Sequence, residues 1–274
     1  MSNLCRFSGL STSLVTLGVA ANLTSPALAQ NIFPDVPSNY WAEPFIERLA
    51  ERNIVVGYPD GTFRPEQAVE RDEFAAMIRK AFDKEPVREL KDASVYQDVP
   101  QGYWASPAIK EAYQQGFMSG YPGGFFRPNQ PVTRVDGIVT LTRGLNLTPE
   151  TPQIARRSLR RQIYLPLAMT FLMQPLVAAP PTTTSVVALA QNYYADAQAI
   201  PQYAVNDVGI ATQKNMVVNY PNSRLLNPNQ PLRRATAAAF IHQTLVAQDR
   251  IEPLPSNVEA DNYVVRPRVT QVGG

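Results

Sequence analysis

The sequence predicts an all-α protein in which three helix-loop-helix repeats pack as one three-lobed domain. Three observations lead there. A motif recurs three times along the chain, apolar residues fall at helical spacing on both sides of a loop, and turn-forming residues fill that loop. One helical hairpin cannot bury both of its apolar faces, whereas three packed about a common axis can.

The first element is residues 1–29. Arg6 precedes a moderately apolar stretch from Leu10 to Leu23, and Pro26-Ala27-Leu28-Ala29 follows. This is the layout of a secretory signal peptide with a small-x-small cleavage site after Ala29; the alternative is a buried N-terminal helix. The single cysteine, Cys5, lies inside this segment, so a mature chain would hold none and disulfides drop out as a source of stability.

Repeat 1 is assigned to residues 30–82. Trp41, Ala42, Phe45, Ile46, Leu49 and Ala50 recur at helical spacing, as do Phe74, Ala75, Met77, Ile78, Ala81 and Phe82. Between the two sets, Ile54-Val55-Val56-Gly57-Tyr58 leads into a Pro59-Asp60-Gly61 turn. Residues 83–95 read as a short, charged, solvated linker.

Repeat 2, residues 96–145, repeats these landmarks: Trp41 to Trp104, Tyr58 to Tyr121 and Arg71 to Arg134 are each 63 residues apart. Thr133 and Asp136, three residues apart before an apolar run, form a capping-box pattern that puts Arg134 in the first turn of a helix. Residues 146–193 are a linker with an inserted apolar run between repeats 2 and 3. Ile163 to Ala179 is 17 residues long and interrupted by Pro166 and Pro175, short and broken for a spanning helix. Its alternatives are a covering helix or a segment that meets a partner or a membrane surface.

Repeat 3, residues 194–250, is a worn copy. Tyr203-Ala204 stands where the others have Trp-Ala, and the 17-residue spacing to the loop tyrosine is kept: 41 to 58, 104 to 121, 203 to 220. Pro65, Pro128 and Pro228 each precede an arginine by 6 residues, at Arg71, Arg134 and Arg234. Residues 251–274 are a tail.

Composition narrows the function. Lys and Arg total 25 against 23 Asp and Glu, too balanced for nucleic acid or a strongly anionic membrane, so any electrostatic site is local. His242 is the sole histidine and reads as a helix residue; without a second histidine or a mature cysteine, no His-rich metal centre or Cys-His pair can be built. No nucleophile motif or phosphate loop is present, no cofactor or metal is expected, and an enzyme is disfavoured.

The arginines opening each second helix are the strongest site candidates. A cation there opposes the helix dipole, yet arginine stands there three times. Helix N-terminal amides with an arginine fork suit a carboxylate or phosphate; the bland alternative is pairing with Asp72 or Asp136. Trp41, Trp104 and Tyr203 read as core or as sugar-stacking platforms, core being the default for Trp41. Tyr58, Tyr121 and Tyr220 border turns, where half-exposed rings are common.

Phe33-x-Asp35-Val36, Trp41-Ala42, Gly57 through Pro65 and Arg71-Asp72-Glu73-Phe74-Ala75 resemble the S-layer homology repeat. The second copy is similar through Thr133-Arg134-Val135-Asp136. The third resembles the divergent last repeat of cyanobacterial members through Val217-Val218-Asn219-Tyr220-Pro221 and Leu226-Asn227-Pro228. The resemblance implies a pseudo-threefold prism whose inter-lobe grooves bind a peptidoglycan-linked polysaccharide with an anionic substituent, often a pyruvate ketal. Arg71, Arg134 and Arg234 would meet the anion. Trp41, Trp104 and Tyr203 would flank the grooves, with Tyr58, Asp60, Tyr121 and Tyr220 on the loops. Against the family pattern, Glu70 replaces threonine in copy one, Arg233 and Thr236 replace threonine and glutamate in copy three, and the third turn, Pro221-Asn222-Ser223, lacks glycine.

The expectation is an exported, non-catalytic, wall-associated protein of the periplasm or cell surface, with wall polysaccharide as partner and no nucleic acid. The alternative is an accessory envelope protein whose residues 163–179 engage the outer membrane or a porin-type partner. A hydrolase would need a further catalytic domain.

Overall fold

The computed structural model describes residues 32–89, 96–149 and 185–267. The expected signal segment, residues 163–179 and the end of the tail lie outside them. The described residues form helices and no strands, only isolated bridges. None of these helices is long and apolar enough to cross a membrane.

Repeat 1 holds α1 (Glu43–Ala50) and α2 (Arg71–Ala81), and repeat 2 holds α3 (Ser106–Gln114) and α4 (Arg134–Gly144). An additional helix, α5 (Val186–Tyr193), precedes α6 (Val205–Gln213) and α7 (Arg234–Val246) of repeat 3. Both α1 and α3 carry a proline in their first turn, where the missing amide proton costs no helical bond. In α4 the Thr133 hydroxyl oxygen accepts from the Asp136 amide at 3.2 Å, which caps the helix and places Arg134 in its first turn as the spacing predicts.

Each second helix packs on the first helix of the next repeat: α2 on α3, α4 on α6, and α7 back on α1. The residues two before each arginine close the same circuit in backbone hydrogen bonds. The Val69 amide donates to the Leu232 carbonyl (2.8 Å), Leu232 to Val132 (2.8 Å) and Val132 to Val69 (2.9 Å). All three side chains are buried, beside the phenylalanines Phe45, Phe63, Phe74, Phe82, Phe126 and Phe240. Each such phenylalanine contributes about 1.5–3 kcal/mol by leaving water.

The aspartate of each Phe-x-Asp-like motif ties down the loop before the second helix. Asp35 accepts from the amides of Phe63 (2.8 Å) and Arg64 (2.6 Å), Asp98 from Phe126 (2.7 Å) and Arg127 (2.6 Å), and Asp196 from Leu226 (2.9 Å) and Asn227 (2.6 Å). The second residue of each pair is left-handed, with φ of 58° at Arg64, 58° at Arg127 and 51° at Asn227. A side chain there costs about 1 kcal/mol, which the two charge-assisted bonds offset. Asp98→Ala is therefore expected to lower stability by about 2 kcal/mol in urea unfolding, with Asp98→Asn in between. A loss below about 0.5 kcal/mol, the range of ordinary surface changes, would contradict this role.

Two connecting segments add contacts to the sequence reading. Residues 83–89 are largely exposed, as expected, yet tied to repeat 2: the amides of Val87 and Arg88 donate to the Gln114 carbonyl (2.8 and 3.0 Å), and Lys84 Nζ donates to the Gln115 carbonyl (2.9 Å). In addition, α5 falls in the stretch expected to be linker and packs on α6. Gly209 makes room for it, since a Cβ there would lie 2.0 Å from the Val186 carbonyl oxygen.

Candidate functional site

The three arginines are held alike. Arg71 Nε donates to the Phe126 carbonyl and Nη2 to that of Ser119, both at 2.8 Å. Arg134 Nε donates to Leu226 (2.8 Å), and its Nη2 to the Asn219 side-chain oxygen (2.6 Å) and the Val218 carbonyl (3.4 Å). Arg234 Nε donates to Phe63 (2.8 Å) and Nη2 to Val56 (3.3 Å). Every acceptor belongs to the next repeat around the circuit.

The helix N-terminal amides are committed in the same way. Those of Arg71 and Asp72 donate to Gln130 and Pro128, those of Arg134 and Val135 to Gln230 and Pro228, and those of Arg234 and Ala235 to Gln67 and Pro65. The expected open anion receptor of amides and fork is thus filled by loop carbonyls. These carbonyls lie where the partial positive charge of the helix end favours them. Arg234 is nearly buried, with Glu73 Oε1 at 3.6 Å from its Nη1. Burial pulls Arg134 down to about 10 and lowers Arg71 as well.

The loop tyrosines divide. Tyr58 lies under Arg234 (4.7 Å) and Arg64 (3.9 Å), and Tyr121 under Arg71 (4.9 Å) and Arg127 (4.3 Å). Burial and then a hydrogen bond to Glu73 push the Tyr58 hydroxyl up to about 12. Asp60 is tied within its turn, accepting from the Thr62 hydroxyl (2.6 Å) and from Arg64 (2.8 Å), contacts that hold its carboxyl well below the usual range.

Tyr220 takes a different position. Its ring stacks on Trp41 with centroids 5.0 Å apart and planes 4° from parallel. Trp104 and Tyr203, the counterparts of Trp41, are 60% and 54% exposed. Tyr203 donates to Asp136 (2.7 Å) and Tyr103, beside Trp104, donates to Asp72 (2.5 Å). Desolvation, then these carboxylates, push both hydroxyls up to about 12, so they are donors at any ordinary pH.

A cavity of about 670 Å³ opens where repeat 3 meets repeat 1. Trp41 and Tyr220 form one wall, Glu66, Arg233 and Tyr40 another, and Arg134 contributes from repeat 2. Arg233 pairs with Glu66, which also accepts from the Tyr40 hydroxyl. Of the ten residues picked out in the sequence, this cavity gathers Trp41, Tyr220 and Arg134. Arg71 and Tyr121 belong to the seam between repeats 1 and 2, Arg234 and Tyr58 to the loop contact between repeats 3 and 1, and Tyr203 to the seam between repeats 2 and 3, while Trp104 packs beside Tyr103 and Asp60 stays within its own turn. Among the described residues, no group of three or more His, Cys, Asp or Glu side chains could hold a metal ion.

Sequence reasoning missed Glu66, Tyr40 and Asn219. Asn219 had a signal: it stands where the other copies have Gly57 and Gly120. At those glycines a Cβ would lie 2.8 Å from the Phe33 ring or 2.2 Å from that of Tyr96. At Asn219 the side chain is admitted, and its oxygen becomes the second acceptor of Arg134.

The S-layer homology domain matches at three places, residues 32–75, 95–135 and 193–238. Each of the three matches begins within a few residues of a motif aspartate and reaches into a second helix. Among curated proteins it is 31% identical over 118 residues to a cellulosome-anchoring protein of Acetivibrio thermocellus, covering 43% of this chain and 26% of that protein. It is 31% identical over 134 residues to an S-layer protein of Bacillus licheniformis, with 48% and 15% covered. It is 30% identical over 213 residues to an amylopullulanase of Thermoanaerobacterium thermosulfurigenes, with 78% and 9% covered. The chain spans about a quarter or less of the length of these relatives.

Proposed function

We propose that this chain is a non-catalytic anchor that holds an exported protein on an anionic, peptidoglycan-linked wall polysaccharide. The observation that carries the reading is the cavity between repeats 3 and 1, whose lining combines the stacked Trp41 and Tyr220 with Arg134 and Arg233. An aromatic face suits the apolar face of a sugar ring, and a guanidinium suits a carboxylate such as a pyruvate ketal. The names of the relatives, an anchoring protein and S-layer proteins, agree with it.

In this reading the three repeats form a pseudo-threefold prism, which the circuit through Val69, Leu232 and Val132 supports. Arg71, Arg134 and Arg234 organise the grooves and offer the anion the guanidinium edge turned away from the loop carbonyls. Trp41, Trp104 and Tyr203 flank the grooves, with Tyr58, Asp60, Tyr121 and Tyr220 on the loops. The protein resides in the periplasm or at the surface, attached to the wall, and the worn third repeat is of cyanobacterial type. The accessory reading rests on residues 163–179, and none of the described residues favours it.

The test is co-sedimentation of residues 30–274 with purified sacculi, before and after chemical removal of the attached polysaccharide. Binding should require the polysaccharide; equal binding to stripped sacculi would end the proposal. Arg233→Ala removes an exposed cation without touching the core. It should weaken binding by roughly tenfold, the equivalent of about 1.4 kcal/mol, with no change in melting temperature.

A further inference from the structure

The aromatic wall of the groove between repeats 3 and 1 is backed by chain that lies beyond the third matched domain. Residues 251–267 return across the seam. Arg48 of α1 donates to the carbonyls of Glu252 (3.2 Å) and Pro253 (3.4 Å). Further on, the Asn219 amide donates to the Tyr263 carbonyl (2.9 Å) and the Val265 amide to that of Val217 (2.8 Å). Leu254, Ala260, Val264 and Val265 are buried, and Asp261 and Arg266 pair at 2.5 Å. The segment is anchored at both ends.

Its middle carries Tyr263, whose ring stands edge-on to Tyr220 (4.8 Å, 82°) and to Trp41 (6.2 Å, 85°). These are the two stacked rings of the cavity wall, one from repeat 3 and one from repeat 1. The Tyr263 hydroxyl donates to Glu259 Oε1 (2.7 Å), which fixes its own orientation.

The third loop is closed differently from the other two. In the first two loops the turn is tied internally, by the Tyr58 amide to the Thr62 carbonyl (2.8 Å) and the Tyr121 amide to Phe125 (2.7 Å). The third loop has no glycine in its turn; the Asn219 side chain donates to the Ser223 carbonyl (3.0 Å), and the Asn219 amide goes to the Tyr263 carbonyl in place of a bond within the turn. Two edge-to-face contacts then set the angle of the Tyr220 ring against Trp41.

We propose that Tyr263 is a positioning residue for saccharide binding. It locks Trp41 and Tyr220 into one rigid wall, so the segment after the third repeat is a working part of the groove between repeats 3 and 1. This rests on the wall-polysaccharide reading above.

The experiment uses the two tryptophans of the chain. With Trp104→Phe as background, Trp41 alone emits, and its emission maximum and acrylamide quenching report the stack directly. Tyr263→Phe should match the background in emission and in affinity for polysaccharide-bearing sacculi. Tyr263→Leu should shift Trp41 emission to the red, raise quenching about twofold and weaken sacculus binding roughly fivefold to tenfold. Affinities are taken per folded molecule, from near-UV circular dichroism, so a loss of stability alone does not imitate the effect. Tyr220→Leu should reproduce the phenotype, and the double variant Tyr220→Leu/Tyr263→Leu should add nothing to it. Unchanged emission in Tyr263→Leu, a shift with unchanged affinity, or additive losses in the double variant would each overturn the proposal. If the unmutated protein binds stripped and intact sacculi equally, the polysaccharide reading fails and takes the binding role with it. The emission shift then decides by itself whether Tyr263 holds the stack.

Discussion

Replacing Arg234 by alanine should cost about 3–5 kcal/mol of unfolding free energy, the range for removing one partner of a buried ionic network. Arg234 is 6% exposed. Its loss strips the Phe63 and Val56 carbonyls of their donor and leaves Glu73, 13% exposed in its side chain, without its cation. For a domain of this size the melting temperature should fall by roughly 10 °C. Arg234→Lys should restore only a minor part, because an ammonium cannot span two carbonyls as a planar fork does. Arg233→Ala, one residue away and 60% exposed in its side chain, should leave the melting temperature unchanged. Differential scanning calorimetry of the three variants checks this. A shift of less than about 2 °C for Arg234→Ala would mean that the arginine serves a ligand and not the joint between repeats 3 and 1.

Acid should weaken this same joint through His242. The side chain is fully buried in α7, packs edge-on to Phe45 of α1 at 5.2 Å, and among the described residues has no hydrogen-bond partner for either ring nitrogen. Burial first, and then the positive charges of Arg48 and Arg52, push its pKa from 6.5 down to about 4. The folded state therefore favours the neutral ring. This contribution is intact above pH 6.5 and is lost as pH falls from there through about 4, amounting to about 3 kcal/mol. His242→Leu should remove that dependence and, by eliminating two unpaired buried nitrogens, stabilise the protein at pH 7 by about 1 kcal/mol. Urea midpoints from pH 4 to 7.5 for both proteins isolate the effect, since their carboxylates titrate alike. Parallel curves would refute it.

The two variants test what is visible at different levels. That three repeats exist, that each is two helices about a loop, and that Arg134 opens a helix follow from residue spacing, because helical periodicity and turn chemistry are local. The apolar positions marked for α1 and α2 are those that are buried, Phe45, Ile46 and Leu49 in one and Phe74, Met77 and Ile78 in the other. Recurrence also marked the three arginines, as an anion site, and in the structure each joins its repeat to the next.

What the arginines touch was decided by the tertiary structure alone. The acceptor of Arg71 Nε lies 55 residues away and that of Arg234 lies 171 away, and both are backbone carbonyls. Every residue has a carbonyl, so no residue type announces one as a partner. The acidic neighbours suggested by sequence, Asp72 and Asp136, instead accept from Tyr103 and Tyr203 across the seams. Likewise Trp41, Trp104 and Tyr203 hold equivalent places in the sequence, yet Trp41 is stacked and the other two are open. The difference comes from Tyr220 and Tyr263, which close packing brings to Trp41 from far along the chain. Periodicity specifies which face of an element is buried, but which groups meet across a seam depends on where the chain returns.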